Sequence, residues 1–225
     1  MEMKKSGIDM LHGSIWDKIP LFALPVAATA ILGQLFNASD LAVVGNFAGE
    51  ARTAAVAAVG ANSSVVSLVV NLFTGVALGA NVVIAGAIGR EDTDAAQRAV
   101  HTALLFAVLG GFVIALLGEL AAEPLLRMMS VPDEVLPLAL LYLRIYLIGM
   151  PVILLYNFEA AIFRSIGDTK VPLATLAISG VINVILNLFF VIVLGMTVDG
   201  VAIATVISNA ISAVILFFRL RKAND

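Results

Sequence analysis

Residues 19–44 read IPLFALPVAATAILGQLFNASDLAVV, an apolar run opened by Pro20 and Pro25 and carrying one charged residue, Asp40, near its far end. As a helix rising ~1.5 Å per residue this run measures ~39 Å, long enough to cross a bilayer with some tilt. Asp40 is therefore placed inside hydrocarbon or at its edge. An ionisable side chain there is costly and normally faces a bundle interior or a wet cavity, where it marks an ion or substrate path. Gln34, Asn37 and Asp40 recur at i, i+3 and i+6, which puts them on one side of the helix. The competing reading leaves Asp40 at the outer interface, in contact with water.

Composition sets the class. Hydrophobic residues are 61% of the 225 and charged residues 13%, and mean hydropathy is +1.05. Soluble domains carry about 25% charged residues, so the chain is read as an integral membrane protein with membrane lipid around it. The net charge of −3 says little, because the placement of charge matters more than its sum. Cysteine is absent, which excludes a disulfide framework, a thiolate metal site and thiol redox chemistry. His12 and His101 are far apart and have no ligand spacing around them. No nucleophile–base pair and no phosphate loop appears, so neither an enzyme nor a cofactor is expected, and no nucleic-acid partner. The first 18 residues are polar and amphipathic, without the short apolar core or small-residue cleavage site of a removable signal peptide.

The rest of the chain divides into five further spans. Residues 1–18 read as a cytoplasmic or interfacial arm with Trp16 at headgroup level. Between Arg52 and Arg90 lie 37 uncharged residues, too many for one minimal span and barely enough for two with a turn. With Gly60, Gly75 and Gly79 as the internal breakers and no proline, one long tilted helix from Thr53 to Ile88 is expected. Gly89-Arg90-Glu91-Asp92-Thr93 then offers a C′ glycine and an N-cap. A third span runs from Ala95 to Gly118, and Glu119 to Glu134, with Pro124 and Pro132, forms an outer connection. The fourth, Val135 to Arg164, should kink at Pro151, with Arg144 snorkelling to the outer interface. Gly167-Asp168-Thr169-Lys170 repeats the chemistry of the earlier inner loop. The fifth span is Val171 to Val198, the sixth Gly200 to Phe218, and residues 219–225 form a basic cytoplasmic tail.

The positive charges test that count. With both termini inside, the inner segments collect Lys4, Lys5, Lys18, Arg90, Arg98, Arg164, Lys170, Arg219, Arg221 and Lys222, ten of thirteen, as the positive-inside rule requires. Seven spans would move Arg164 and Lys170 outside.

Within the spans, Asn183 and Asn187 are one turn apart in the fifth, and Thr205 and Asn209 one turn apart in the sixth. Each pair is suited to interhelical hydrogen bonding. Alongside Asp40 they are also expected to offer a cation site, because a carboxylate with amide and hydroxyl oxygens is what a hard cation prefers. Asn62, Asn71 and Asn81 are spaced too widely to cluster. Glu159 is expected to pair with Arg164, and His101 to take a capping or headgroup role.

Four stretches carry a resemblance. They are Pro25 to Gly45 with Gln34, Asn37 and Asp40; Gly79-Ala80-Asn81 followed by Ala87-Ile88-Gly89; Phe163-Arg164-Ser165-Ile166-Gly167-Asp168-Thr169-Lys170-Val171-Pro172; and Gly200-Val201-Ala202-Ile203-Ala204-Thr205-Val206-Ile207-Ser208. In this order across six spans they resemble the multidrug and toxic compound extrusion (MATE) family. The resemblance covers essentially the whole chain but only the N-terminal half of that family, whose members have twelve helices in two six-helix lobes. It implies an all-α integral membrane protein, six transmembrane helices forming one lobe of a MATE-like (MOP superfamily) transporter.

It further implies a secondary antiporter of the plasma (inner) membrane that exports organic cations or drug-like amphiphiles against Na⁺ or H⁺. Asp40 matches the family's acidic residue in the first helix, Asn183 its amide in the fifth and Thr205 its hydroxyl in the sixth, a possible Na⁺ site. Asn187 stands where many relatives have a second aspartate. An amide ligates Na⁺ but cannot carry a proton, so coupling in this lobe would fall on Asp40. Since alternating access needs two lobes, the chain would act as a homodimer or beside a second six-helix lobe. Two alternatives stay open, a flippase of lipid-linked precursors and a non-transporting membrane subunit. Flippases of this superfamily usually line their cavity with several cationic residues, whereas these spans hold one Arg and two acids.

Overall fold

The computed structural model describes Ile8 and residues 14–224, and among these every regular element is a helix. In chain order they are α1 (Ile15–Phe47), α2 (Arg52–Gly89), α3 (Thr93–Met128), α4 (Leu136–Ile148), α5 (Met150–Ser165), α6 (Lys170–Leu188) and α7 (Val198–Asn224). Five are long and apolar enough to cross a membrane, and α4 with α5 forms a sixth, broken span bent by 54°. Six traversals return the chain to the end of the bundle at which α1 begins.

Several boundaries differ from expectation. Helix α1 begins at Ile15, so Trp16 and Lys18 belong to it, with Trp16 exposed; Lys4, Lys5 and His12 lie outside the described residues. The polar segment from Glu119 to Met128 is helical and extends α3 rather than forming a loop. Pro124 is tolerated because Ala122 and Leu126 anchor this turn in the core and Glu123 holds Arg127 one turn on, at 2.9 Å. Arg144 meets Glu119 at 3.5 Å, so it has a protein partner. The last turn of α6 widens into a π turn, Phe189–Val193, and Gly195 at φ +66° breaks the chain before α7. The basic residues from Arg219 onward continue α7 as helix instead of forming a tail.

The turns before α3 and before α6 both use side-chain caps. Asp92 accepts from the Ala95 amide at 2.9 Å and Asp168 from the Val171 amide at 3.1 Å. Gly167 takes the left-handed turn as expected, but in the earlier loop that position falls on Glu91 (φ 58°) rather than on Gly89. His101 is exposed on α3, and the cap there is Asp92.

Two apolar clusters stack along the bundle. One joins Val44, Ala55, Ala58, Leu126, Leu143 and Val201 at the end remote from the termini. The other joins Ile84, Ala107, Phe158, Ile162 and Leu216 at the terminal end. The bend at Gly149 sits between them, because Pro151 has no N–H to continue the α4 ladder. It is seated in two glycine notches. A Cβ on Gly111 of α3 would lie 2.3 Å from Pro151 Cα, and one on Gly149 would lie 2.4 Å from Val206 of α7. Elsewhere in the bundle α2 is tied to α4 by Asn62, whose Nδ2 donates to Ala58 O at 2.9 Å and Ala139 O at 2.8 Å. Asn62→Ala removes this crossing bond and should cost ~0.6–2 kcal/mol, read as a lowered midpoint of thermal unfolding in detergent micelles.

Candidate functional site

The polar residues of α6 repeat every four positions: Thr175, Ser179, Asn183 and Asn187, all buried. Fourfold spacing stacks them in one seam along the helix, and the seam faces α7. Ser212 of α7 donates to Ser179 at 2.6 Å, and Asn183 Nδ2 donates to Thr205 Oγ1 at 3.4 Å. Ser179 and Ser212 were not anticipated from the sequence, although the fourfold recurrence of polar residues in an apolar helix carries the signal.

Helix α1 closes the seam at its far end. It approaches α6 closely because Gly180 leaves room for the Phe36 ring, which occupies the place a Cβ would take. Asp40, one turn beyond Phe36, thereby meets Asn187 and Thr205. Asn187 Nδ2 donates to Asp40 Oδ1 at 2.5 Å and to Asn183 Oδ1 at 3.2 Å. Thr205 Oγ1 lies 3.3 Å from Asp40 Oδ2 and 2.9 Å from Val201 O, and its single proton serves one of them at a time. Asp40 is 6% exposed. It is sealed by protein rather than left in contact with water at an interface.

Four of the expected residues converge, and three do not. Asp40, Asn183, Asn187 and Thr205 form one network across α1, α6 and α7. Gln34 and Asn37 are exposed on α1. Six residues turn a helix through ~600°, so Gln34 points ~120° away from Asp40, and α1 buries only one edge of the arc they share. Asn209 donates to Thr205 O within its own helix and stays outside the network.

Chemically the network is a pocket of oxygens with one charge. It holds the two Asp40 oxygens, Asn183 Oδ1, Thr205 Oγ1 and Asn187 Oδ1, and the last is buried without a hydrogen-bond partner among the described residues. An orphaned buried acceptor is costly unless something arrives to satisfy it. A half-turn of the Asn187 amide would bring that oxygen toward Asp40. Oxygen donors of this kind suit a hard cation, and among the described residues no cluster of His, Cys, Asp and Glu suits a transition metal.

Comparison with known proteins agrees with this architecture. A family model, MatE, matches residues 25–189, most of the chain and five of its six spans. The chain belongs to the MatE family. Its family is one of membrane transporters and not of enzymes. MatE relatives include the probable multidrug resistance protein YoeA of Bacillus subtilis, 32% identical over 93% of this chain and 45% of that protein. A probable multidrug resistance protein NorM of Thermotoga maritima is 25% identical over 90% of this chain and 44% of its own length. Among solved structures, MATE in the bent conformation superposes with a TM-score of 0.89 at 26% identity, over 96% of this chain and 48% of that one. The chain spans about half the length of the relatives it matches, as one six-helix lobe of a MATE transporter does.

Proposed function

We propose that this MatE lobe is one half of a secondary antiporter that exports organic cations or drug-like amphiphiles from the cell in exchange for Na⁺ or H⁺. The carrying observation is Asp40, a lone carboxylate buried against an amide of α6 and a hydroxyl of α7, with an unsatisfied amide oxygen beside it. Na⁺ would be held by Asp40, Asn183, Thr205 and a turned Asn187. A proton on Asp40 would instead convert an acceptor into a donor for that same amide oxygen. Either event changes the bonds joining α1 to α6 and α7. Helix α1 contains Pro20 and Pro25, which leave two carbonyls without intrahelical donors, so it is the helix whose packing such a change would move most easily.

The second half is a second copy of this chain or a second six-helix lobe. Gln34 and Asn37 support this, since these amides sit among exposed apolar residues of α1 such as Ile31 and Leu35, where lipid would leave them unsatisfied. We place the chain in the plasma membrane with both termini cytoplasmic, on the distribution of Lys and Arg. Arg144 is engaged by Glu119, which favours a cationic or neutral substrate over a lipid-linked pyrophosphate.

Ethidium flux into proteoliposomes holding the full chain, driven by Na⁺ or H⁺ gradients, tests the reading. Gradient-dependent flux is expected if two copies suffice; ion binding without flux would assign the second half to another lobe, and neither would contradict antiport. Thr205→Val keeps the shape and removes the hydroxyl. The hydroxyl oxygen would be a Na⁺ ligand, and a hydrogen-bond-like contact to a charged group is worth ~1.5–3 kcal/mol, so the half-saturating Na⁺ concentration should rise roughly 10- to 100-fold. Proton binding should not weaken, because a hydroxyl donating to Asp40 stabilises its ionised form.

A further inference from the structure

The second acid within the spans, Glu159, lies outside the Asp40 network and in different surroundings. It is 0% exposed, and neither carboxyl oxygen has a hydrogen-bond partner among the described residues. The pairing with Arg164 expected from sequence does not form. Five residues separate them, which places the two side chains ~140° apart around the helix. Nor can Glu159 reach water by changing rotamer. Phe158, Glu159, Ala160, Ala161, Ile162 and Phe163 are six consecutive buried residues, so α5 is covered on every side at this level.

The covering elements are α2, α3 and α7, and what they present is apolar: Ile84, Ala103, Ala107, Ala213 and Leu216. Helix α2 carries no charged or titratable residue between Arg52 and Arg90, α3 none between His101 and Glu119, and α7 none between Asp199 and Arg219. Helix α6, which touches α5 more lightly, has none after Lys170, and α4 has Arg144, Tyr142 and Tyr146 on the far side of the bend. On α5 itself the other such groups are Tyr156 and Arg164. Arg90, Arg98, His101, Lys170 and Arg219 are all exposed at the terminal end of the bundle. Among the described residues no cation is therefore seated against this carboxyl.

We propose that Glu159 is a proton-binding site separate from Asp40, holding a proton while α5 is packed against α2, α3 and α7 and releasing it to water when this end of the lobe opens. A sealed carboxylate with neither cation nor donor bears the full cost of desolvating its charge, whereas a carboxylic acid leaves only ordinary polar atoms to satisfy. The O–H bond of the acid breaks on opening, the proton passes to an entering water, and the carboxylate left behind is hydrated. The packed state then binds one proton more than the open state, so the open state gains population as pH rises. This site does not depend on the assignment of Asp40.

Infrared difference spectroscopy of the purified chain in nanodiscs reads the proton directly. A carboxylic C=O band at neutral pH is expected in the wild type and in Asp40→Asn, shifted by ¹³C-glutamate labelling and missing in Glu159→Gln. Absence of any glutamate-derived band would overturn the proposal, and the labelled wild type decides this even if the Gln variant does not fold. Opening is read by a single cysteine. The chain has none of its own, and Ala103→Cys places a thiol in the apolar cluster facing α5. Its rate of modification by a water-soluble maleimide, divided by the rate in a Glu159→Gln background to cancel thiol ionisation, should rise by up to about tenfold per pH unit if one proton is released per opening. A flat ratio would overturn the coupling of that proton to packing.

Discussion

Asp40→Asn is expected to abolish ion-driven export while leaving the lobe folded. The substitution is isosteric, and the new amide supplies a donor for the orphaned Asn187 oxygen, so the network of α1, α6 and α7 closes without the charge. The ion loses its only formal negative partner in this pocket. Breaking a buried charge pair by removing one member typically costs ~3–5 kcal/mol, which corresponds to roughly 150- to 4000-fold weaker ion affinity. The melting temperature should stay close to that of the wild type, because the variant exchanges one hydrogen-bonding pattern for another. Flux that remains ion-dependent in this variant would remove Asp40 from the mechanism.

The largest structural effect is expected from Gly111→Ala. The added methyl would meet Pro151 Cα at 2.3 Å, Pro151 N at 2.7 Å and the Met150 carbonyl carbon at 3.1 Å. All three are backbone atoms, so no side chain can swing aside and α3 must separate from the bend between α4 and α5. Overpacking costs ~1–3 kcal/mol; with backbone on the receiving side the upper end applies, and the melting temperature should fall roughly 6–12 °C. Gly75→Ala is the matched control. Nothing lies within 4 Å of its Cβ position, and helix propensity alone favours alanine by ~1 kcal/mol. Similar melting temperatures for the two variants would show that the Gly111 contact does not hold the bend.

The spans were legible in the sequence because hydrocarbon demands long uninterrupted apolar helices, and the kink because Pro151 lacks a donor whatever surrounds it. The helical end of α3 was not. Glu119, Glu123 and Arg127 have the polarity of a loop, and only the burial of Ala122 and Leu126 explains why they stay helical around Pro124. At the candidate site, residue type and spacing pointed to Asp40, Asn183, Asn187 and Thr205. They could not separate these from Gln34, Asn37 and Asn209, because which arc of α1 or α7 is buried depends on where neighbouring helices approach. The approach of α1 to α6 is set by Gly180 beneath Phe36, a contact between residues 144 positions apart with no local signature. Glu159 was misread for a related reason. Proximity in sequence suggested Arg164 as a partner, but five residues along a helix put the two on different sides.

Equilibrium ion binding to the purified chain tests the central claim most directly. Radiolabelled Na⁺ binding, and proton uptake from weakly buffered solution, would be measured on the wild type and on Asp40→Asn. The predicted result is that the wild type binds one saturable ion per lobe, Na⁺ or H⁺, more than Asp40→Asn, any proton held at Glu159 being common to both. The same ion binding in wild type and variant would contradict a coupling site built on Asp40.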